Sequence, residues 1–277
     1  MKYQTLFISD IHLGTRGCQA DMLLDFLDAH EAETIYLVGD ICDGWRLKRG
    51  WHWPQEHNDV VEALLAAAHS GTRLFYVPGN HDDFMRSYLG THFGGIEVVS
   101  TADFVSSAGK RYLVTHGDQF DAVVMNANWL AHLGDRAYVT ILWLNTWLNR
   151  ARWLWGGQYW SLSKWAKHQV KRAVNFISSY EVVLADEARR GGYDGVICGH
   201  IHHANIADID GTEYINTGDW VESCTAVGEL EDGRLILIDW AGIKRRRGQA
   251  VARQNRRKRR EEGRSLPEAL RRKKERP

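Results

Sequence analysis

The sequence predicts an α/β sandwich, and three features predict it. Five apolar runs each end in a polar turn that carries carboxylate, amide or imidazole groups. Helical segments alternate with the first of these runs, as in a largely parallel sheet. After residue 204 the texture changes to short strands joined by the Asp-Gly turns 210–211 and 232–233.

A strand over 3–9 ends at Asp10 and His12, and a helix is predicted over 20–30. Ile35-Tyr36-Leu37-Val38-Gly39-Asp40 reads as a buried strand that delivers Asp40 to the rim of a sheet, where α/β proteins place their chemistry. A loop over 40–56 leads to a helix over 57–70, whose Val60, Val61, Leu64, Leu65 and Ala68 share one face and which Gly71 stops. Strand 73–77 leads through Pro78-Gly79 to Asn80, His81 and Asp82. A short helix near 84–90 and weaker β segments over 96–107 precede strand 111–115, which delivers His116-Gly117-Asp118. Val196-Ile197-Cys198-Gly199 delivers His200 and His202. One polar turn after a strand is ordinary, whereas five in this order point to a site. Strands over 204–209, 213–216, 225–230 and 234–240 predict an antiparallel meander, a second sheet packed on the first.

Residues 1–120 and 191–242 are thus expected to form the core, with a helical insertion over 121–190. The insertion holds seven of the twelve tryptophans, and residues 137–148 are apolar nearly all round, so something must cover that helix. Helix 161–180 is amphipathic, with Leu162, Trp165, Ala166, Val170, Ala173, Val174 and Ile177 on one face. Two readings stand: a hairpin that buries its own aromatics, or a cap that offers an apolar groove to a greasy substrate or a membrane interface.

At 277 residues the chain can bury a large single core. Its formal net charge of zero conceals a division. Residues 243–277 hold sixteen Lys/Arg against four Glu, about +12, which leaves about −12 for residues 1–242. That tail is nearly devoid of apolar residues and is expected to be disordered or a loose helix, attracted to an anionic membrane surface or to nucleic acid. The four cysteines show no zinc-knuckle spacing and read as reduced thiols. No signal peptide is evident, and no apolar run approaches the roughly 20 residues that span a bilayer. The expected location is cytoplasmic, peripheral on the inner membrane through the tail.

Asp10, His12, Asp40, Asn80, His116, His200 and His202 are too many ligands for one ion and suit two divalent ions that share a carboxylate. Mixed nitrogen and oxygen donors suit Mn, Fe or Zn better than Mg or Ca. Two such ions, roughly 3.5–4 Å apart, are a standard device for hydrolysing phosphate esters. Asp40, from the second of the five turns, is the natural bridge.

Asp10-x-His12, Gly39-Asp40-x-x-Asp43, Gly79-Asn80-His81-Asp82, His116-Gly117-Asp118 and Gly199-His200-x-His202 resemble the five motifs of the calcineurin-like metallophosphoesterases. The resemblance covers residues 5–220 and implies a four-layer αββα sandwich with a helical cap insertion. It implies that Asp10, His12, Asp40 and His202 hold one ion, and that Asp40, Asn80, His116 and His200 hold the other. His81 would act at the leaving group, oriented by Asp43. The insertion between the last two motifs is similar to that of the UDP-2,3-diacylglucosamine diphosphatases of lipid A biosynthesis, which cap a two-manganese site and release UMP and a lipid phosphate. The chain departs from them in carrying His81, as general phosphodiesterases do, where they carry arginine. Arg86, Lys164 and Lys167 are substrate-binding candidates from charge and position alone. A phosphoesterase acting on another lipid or nucleotide, a nuclease, and a non-catalytic binding protein are the alternatives. The acidic body and apolar insertion weigh against the nuclease. The full set of ligand positions weighs against the non-catalytic reading.

Overall fold

Strands β1 (Lys2–Ile8), β2 (Glu31–Val38) and β3 (Arg73–Val77) are rich in β-branched and aromatic residues and pair in parallel. The structure, a computed structural model, describes residues 1–121 and 162–249, and among them the side chains outside 162–175. Helices α1 (Ala20–Ala29), α2 (Gly44–Arg49) and α3 (Gln55–His69) fall between these strands. Then come β4 (His92–Phe93), β5 (Ile96–Val98), β6 (Ala102–Val105) and β7 (Arg111–Val114). Helix α4 (Leu162–Arg190) leads to β8 (Gly195–Cys198), β9 (Asn205–Ile209), β10 (Thr212–Asn216), β11 (Thr225–Glu229) and β12 (Leu235–Asp239).

Among the described residues the strands form two sheets, ordered β12-β11-β1-β2-β3-β5-β4 and β6-β7-β8-β10-β9. The sheets face each other through one apolar cluster. Phe7, Tyr36, Val38 and Val77 of the first sheet meet Phe104, Tyr112, Val114 and Ile197 of the second. Phe7 stacks on Tyr36 at 5.1 Å and meets Phe104 edge-on at 5.0 Å across the interface. Each such side chain contributes about 1.5–3 kcal/mol on burial. With Phe7 facing inward, the strand period turns Leu6, Ile8, Ile35 and Leu37 to the opposite face. All four are buried, and Leu23 and Phe26 of α1 with Val60 and Leu64 of α3 supply the covering layer. On the far side Tyr180, Leu184 and Ala188 of α4 pack with Val196, Cys198 and Tyr214. The result is a four-layer αββα sandwich.

Two expectations are corrected. The strands after residue 204 are not one meander: β9 and β10 pair in the second sheet, and the chain then crosses to the first, where β11 runs antiparallel to β1. β11 is buried along its whole length, which a place between β12 and β1 provides and a sheet edge does not. The stretch 40–56 is not all loop, because Asp43 accepts the Arg46 amide at 2.8 Å and caps α2. Helix α4 begins in the segment read as the insertion, yet its last turns belong to the sandwich. The tryptophan-rich stretch up to residue 161, and with it the choice between hairpin and cap, lies outside the described residues. Met1–Ile238 form one compact unit and Asp239–Pro277 a second, of which residues 240–249 are helical and the rest lies outside the described residues.

Candidate metal centre

Parallel register sets the site. Ile8 lies beside Leu37 and Val38 beside Val77, so β1, β2 and β3 end together, and Asp10, Asp40 and Asn80 leave from one rim. In the facing sheet Val114 lies beside Ile197, so His116 and His200 emerge at neighbouring positions. Backbone bonds stitch the turns: the Asp10 amide donates to the Gly39 carbonyl (3.0 Å), and the His12 amide to that of Asp40 (2.9 Å). The Gly199 amide donates to the His116 carbonyl (3.2 Å).

The backbone is strained where the donors sit. Seven non-glycine residues among those described have φ in the left-handed region, and five are Asp10 (51°), His12 (55°), Asp40 (55°), His200 (72°) and His202 (53°). Each costs of order 1–3 kcal/mol and persists only where the surroundings over-determine it. Gly39, at φ 83°, leaves the space that the His116 imidazole fills, and Gly79 lets the chain pass against the Asp40 carboxylate.

Two sets of donor atoms result. Those of Asp10, His12 and His202 lie within 4.8 Å of one another, as do those of Asp40, His116 and His200; a third group, His12, Asp43 and His81, meets the same limit but shares His12 with the first and lies towards the mouth of the site. Nε2 of His12 and of His202 are 3.2 Å apart, and the latter is 3.1 Å from Asp10 Oδ1. Asp40 stands between the sets: its Oδ1 accepts the His81 amide at 2.8 Å, and its Oδ2 lies 3.4 Å from His116 Nε2 and 3.9 Å from His12 Nε2. Asp10 Oδ1, Asn80 Oδ1 and His116 Nε2 are buried without a hydrogen-bond partner. Buried polar atoms are nearly always paired. A set of buried carboxylate, amide and imidazole donors left unpaired fits divalent transition ions.

Surrounding groups hold these donors in place. His116 Nδ1 contacts the Val38 carbonyl at 2.9 Å, which orients the ring so that Nε2, once without its proton, faces the site as a ligand. Asp10 Oδ2 accepts the Ser9 hydroxyl and, at 3.0 Å, the His200 amide, which leaves Oδ1 turned towards His202. Burial would raise the Asp40 carboxyl, but His116, the His81 amide and His12 outweigh it and hold it well below the usual carboxylate range. Burial would lower His116, yet the Asp40 and Asp10 carboxylates raise it to about 10. His202 is raised by Asp10 against its burial, whereas His12 is lowered, chiefly by burial.

His81 is partly open to solvent, and its Nδ1 lies 3.0 Å from Asp43 Oδ2. Asp82 is buried and ties turns together, accepting the Ile41 amide (2.7 Å), the Gly79 amide (2.6 Å) and the Tyr76 hydroxyl (2.5 Å). Burial raises its carboxyl. Arg86 forks onto Asp118 at 2.8 and 3.0 Å and so joins two turns of the rim, its charge matched there. The side chains of Lys164 and Lys167, on α4, lie outside the described residues. Sequence reasoning missed Asp121, whose carboxylate oxygens lie 2.8 and 2.9 Å from His200 Nε2. Its only signal is a second acid a helical turn beyond Asp118.

A family model agrees with this geometry. The model of the calcineurin-like phosphoesterase family matches residues 3–204. A UDP-2,3-diacylglucosamine hydrolase of Pseudomonas paraeruginosa is 28% identical over 235 residues, 78% of this chain and 90% of the relative. One from Xanthomonas campestris pv. campestris is 33% identical over 118 residues, 41% of this chain and 46% of that protein. Among solved structures, Yfce, a phosphoesterase from E. coli, gives a TM-score of 0.43 at 15% identity, covering 85% of this chain and 98% of that one. Metal-ligand chemistry on one rim, the five motifs and the family match lead to one conclusion: the chain belongs to the calcineurin-like phosphoesterase family and is a metal-dependent phosphoesterase.

Proposed function

We propose that the chain hydrolyses the diphosphate of a lipid-linked nucleotide, UDP-2,3-diacylglucosamine or a close relative, to UMP and a lipid phosphate. The observation that carries this reading is the pair of donor sets on one rim with buried, unpartnered ligand atoms, in a chain similar over most of its length to a UDP-2,3-diacylglucosamine hydrolase. Asp10, His12, Asp40 and His202 would hold one divalent ion, and Asp40, Asn80, His116 and His200 a second. Manganese comes first among Mn, Fe and Zn. When bound, the ions supply Lewis-acid stabilisation of phosphoryl charge and acidify the attacking water.

The chain's own residues do the rest. Asp40, anchored through Oδ1 to the His81 amide, offers Oδ2 to both sets. The Val38 carbonyl holds His116 in the tautomer that a ligand needs. His81, oriented by Asp43, hands a proton to the departing oxygen. The same reading puts the basic tail against an anionic membrane surface, where such a substrate resides. No helix among the described residues is long and apolar enough to cross a membrane.

The test offers manganese-loaded protein four substrates: UDP-2,3-diacylglucosamine, a nucleotide sugar without acyl chains, a simple aryl phosphodiester and single-stranded DNA. The expected result is the highest kcat/KM on the first, with UMP released. Turnover of the aryl ester or the DNA, with none of the diphosphates, overturns the proposal.

A further inference from the structure

We propose that Arg16, Arg46 and Arg49 form a subsite for a phosphate carried by the leaving group, so that the substrates are diphosphate diesters rather than esters of uncharged alcohols. The inference rests on the reading of His81 as the group beside the departing oxygen.

A cleft of about 650 Å³ opens from His12, His81 and His202 and runs between the loop 14–17 and α2. That is the size of a small-molecule site. Arg16, Arg46 and Arg49 line it, all exposed, and none has a carboxylate partner among the described residues. Asp43 is the one acid among the lining residues, and both its oxygens are committed, Oδ1 to the Arg46 amide and Oδ2 to the face of His81 and His12. Arg86, on the same rim, shows the contrast, since Asp118 matches its charge. Residues 1–242 carry about −12 overall, so three unmatched guanidiniums in one cleft run against the charge of the body.

The arginines are also held in register with the metal centre. Arg46 and Arg49 are three apart on α2 and share a face. Leu47 fills the space over Gly14, and a lone parallel bridge pairs Leu13 with Cys42, so α2 and the loop of Arg16 form one frame. His57 Nδ1 accepts the Gly14 amide at 3.0 Å, and the Thr15 hydroxyl donates to the His12 carbonyl at 2.9 Å. Planar guanidiniums grip phosphate oxygens in pairs. In diphosphate hydrolysis the water oxygen joins the attacked phosphorus, the bridging oxygen leaves with the second phosphate, and the two protons of the water are shared between the products. Negative charge therefore grows on the departing phosphate as the bond breaks, and cations placed there favour the transition state over the bound substrate. An uncharged alcohol offers these arginines nothing.

The experiment compares Arg16→Gln, Arg46→Gln, Arg49→Gln and the triple variant with wild type, as full-length manganese-loaded protein. The substrates are a nucleotide sugar and bis(4-nitrophenyl) phosphate. Calorimetry with the methylene-bridged analogue of the nucleotide sugar measures binding without turnover. Each variant should lose about tenfold in kcat/KM on the diphosphate, and the triple variant should lose measurable binding of the analogue. On the aryl diester all should stay within about twofold of wild type, because surface Arg→Gln changes leave the fold and the metal centre intact. Equal losses on both substrates, no loss on either, or a loss confined to the aryl diester overturn the subsite. If wild type turns over only the aryl diester, the proposed function falls, and binding of the analogue alone decides the subsite. If wild type hydrolyses the nucleotide sugar and the variants match it, the subsite alone falls.

Discussion

Asp43 Oδ2 lies 3.0 Å from His81 Nδ1, while the other oxygen of the same carboxylate accepts the Arg46 amide at 2.8 Å. One buried side chain thus faces the imidazole at the mouth of the site and caps the first turn of α2. The two roles separate by substitution. Asp43→Asn keeps an oxygen for the cap but loses the charge facing His81, so kcat should fall about 10–100-fold with stability nearly unchanged. Asp43→Ala should add the loss of the cap, about 1 kcal/mol in denaturant unfolding. Full activity in the Asn variant would show that His81 needs no carboxylate to orient it.

His81 itself should prove separable from the metal ligands. His81→Ala is expected to keep both ions by metal analysis and to lower kcat about 10²–10⁴-fold, the range of a general acid. The loss should be steepest for poor leaving groups. A uniform loss along a leaving-group series would make His81 a positioning group only.

Asp40 faces both donor sets through one oxygen. Asp40→Asn removes the shared charge and should leave fewer than two ions per chain, with kcat reduced at least about 10³-fold. Two tightly held ions and near-normal turnover in that variant would remove the bridge from the assignment.

The chelator-treated protein should respond to pH in a defined direction. His116 is raised from about 6.5 to about 10 in the folded chain. Its pairing with Asp40 therefore contributes stability that is fully present below pH of about 6.5 and is lost as pH rises through about 10. An ion needs that nitrogen without its proton, so loading at neutral pH should release a proton and tighten as pH rises. Calorimetry in two buffers of different ionisation enthalpy counts the protons. A loading enthalpy independent of buffer would contradict the raised value.

Much of this site was legible because strand ends are legible. Apolar runs of four to six residues that stop at Asp, Asn or His mark both an element and what it delivers. Parallel register then places Asp10, Asp40 and Asn80 on one rim without further information. What the sequence hid depends on contacts between distant segments. Asp121 meets His200 from 79 residues away. Arg16 is brought to Arg46 and Arg49 by the bridge between Leu13 and Cys42 and by Leu47 over Gly14. Helix α2 is a six-residue turn, too short to show a period. The crossing of β11 to the first sheet shows only in its pairing with β1, because alternation reads the same in either sheet.

The basic tail offers the last test, because its effect should depend on where the substrate is. Residues 250–277 hold twelve Lys/Arg against four Glu and lie in the unit that begins at Asp239. Each cation near an anionic bilayer contributes about 1 kcal/mol, and the attraction fades beyond a Debye length of roughly 8–10 Å. Several engaged together suffice for binding without a spanning helix, and that binding must weaken with salt. Deleting 250–277 should therefore reduce co-sedimentation with anionic vesicles at low salt and slow turnover of substrate embedded in them. Turnover of a small soluble phosphodiester should not change, since the donor residues all lie between Asp10 and His202. Unchanged vesicle binding with a loss of DNA binding would assign the tail to nucleic acid instead, and the membrane placement would fall with it.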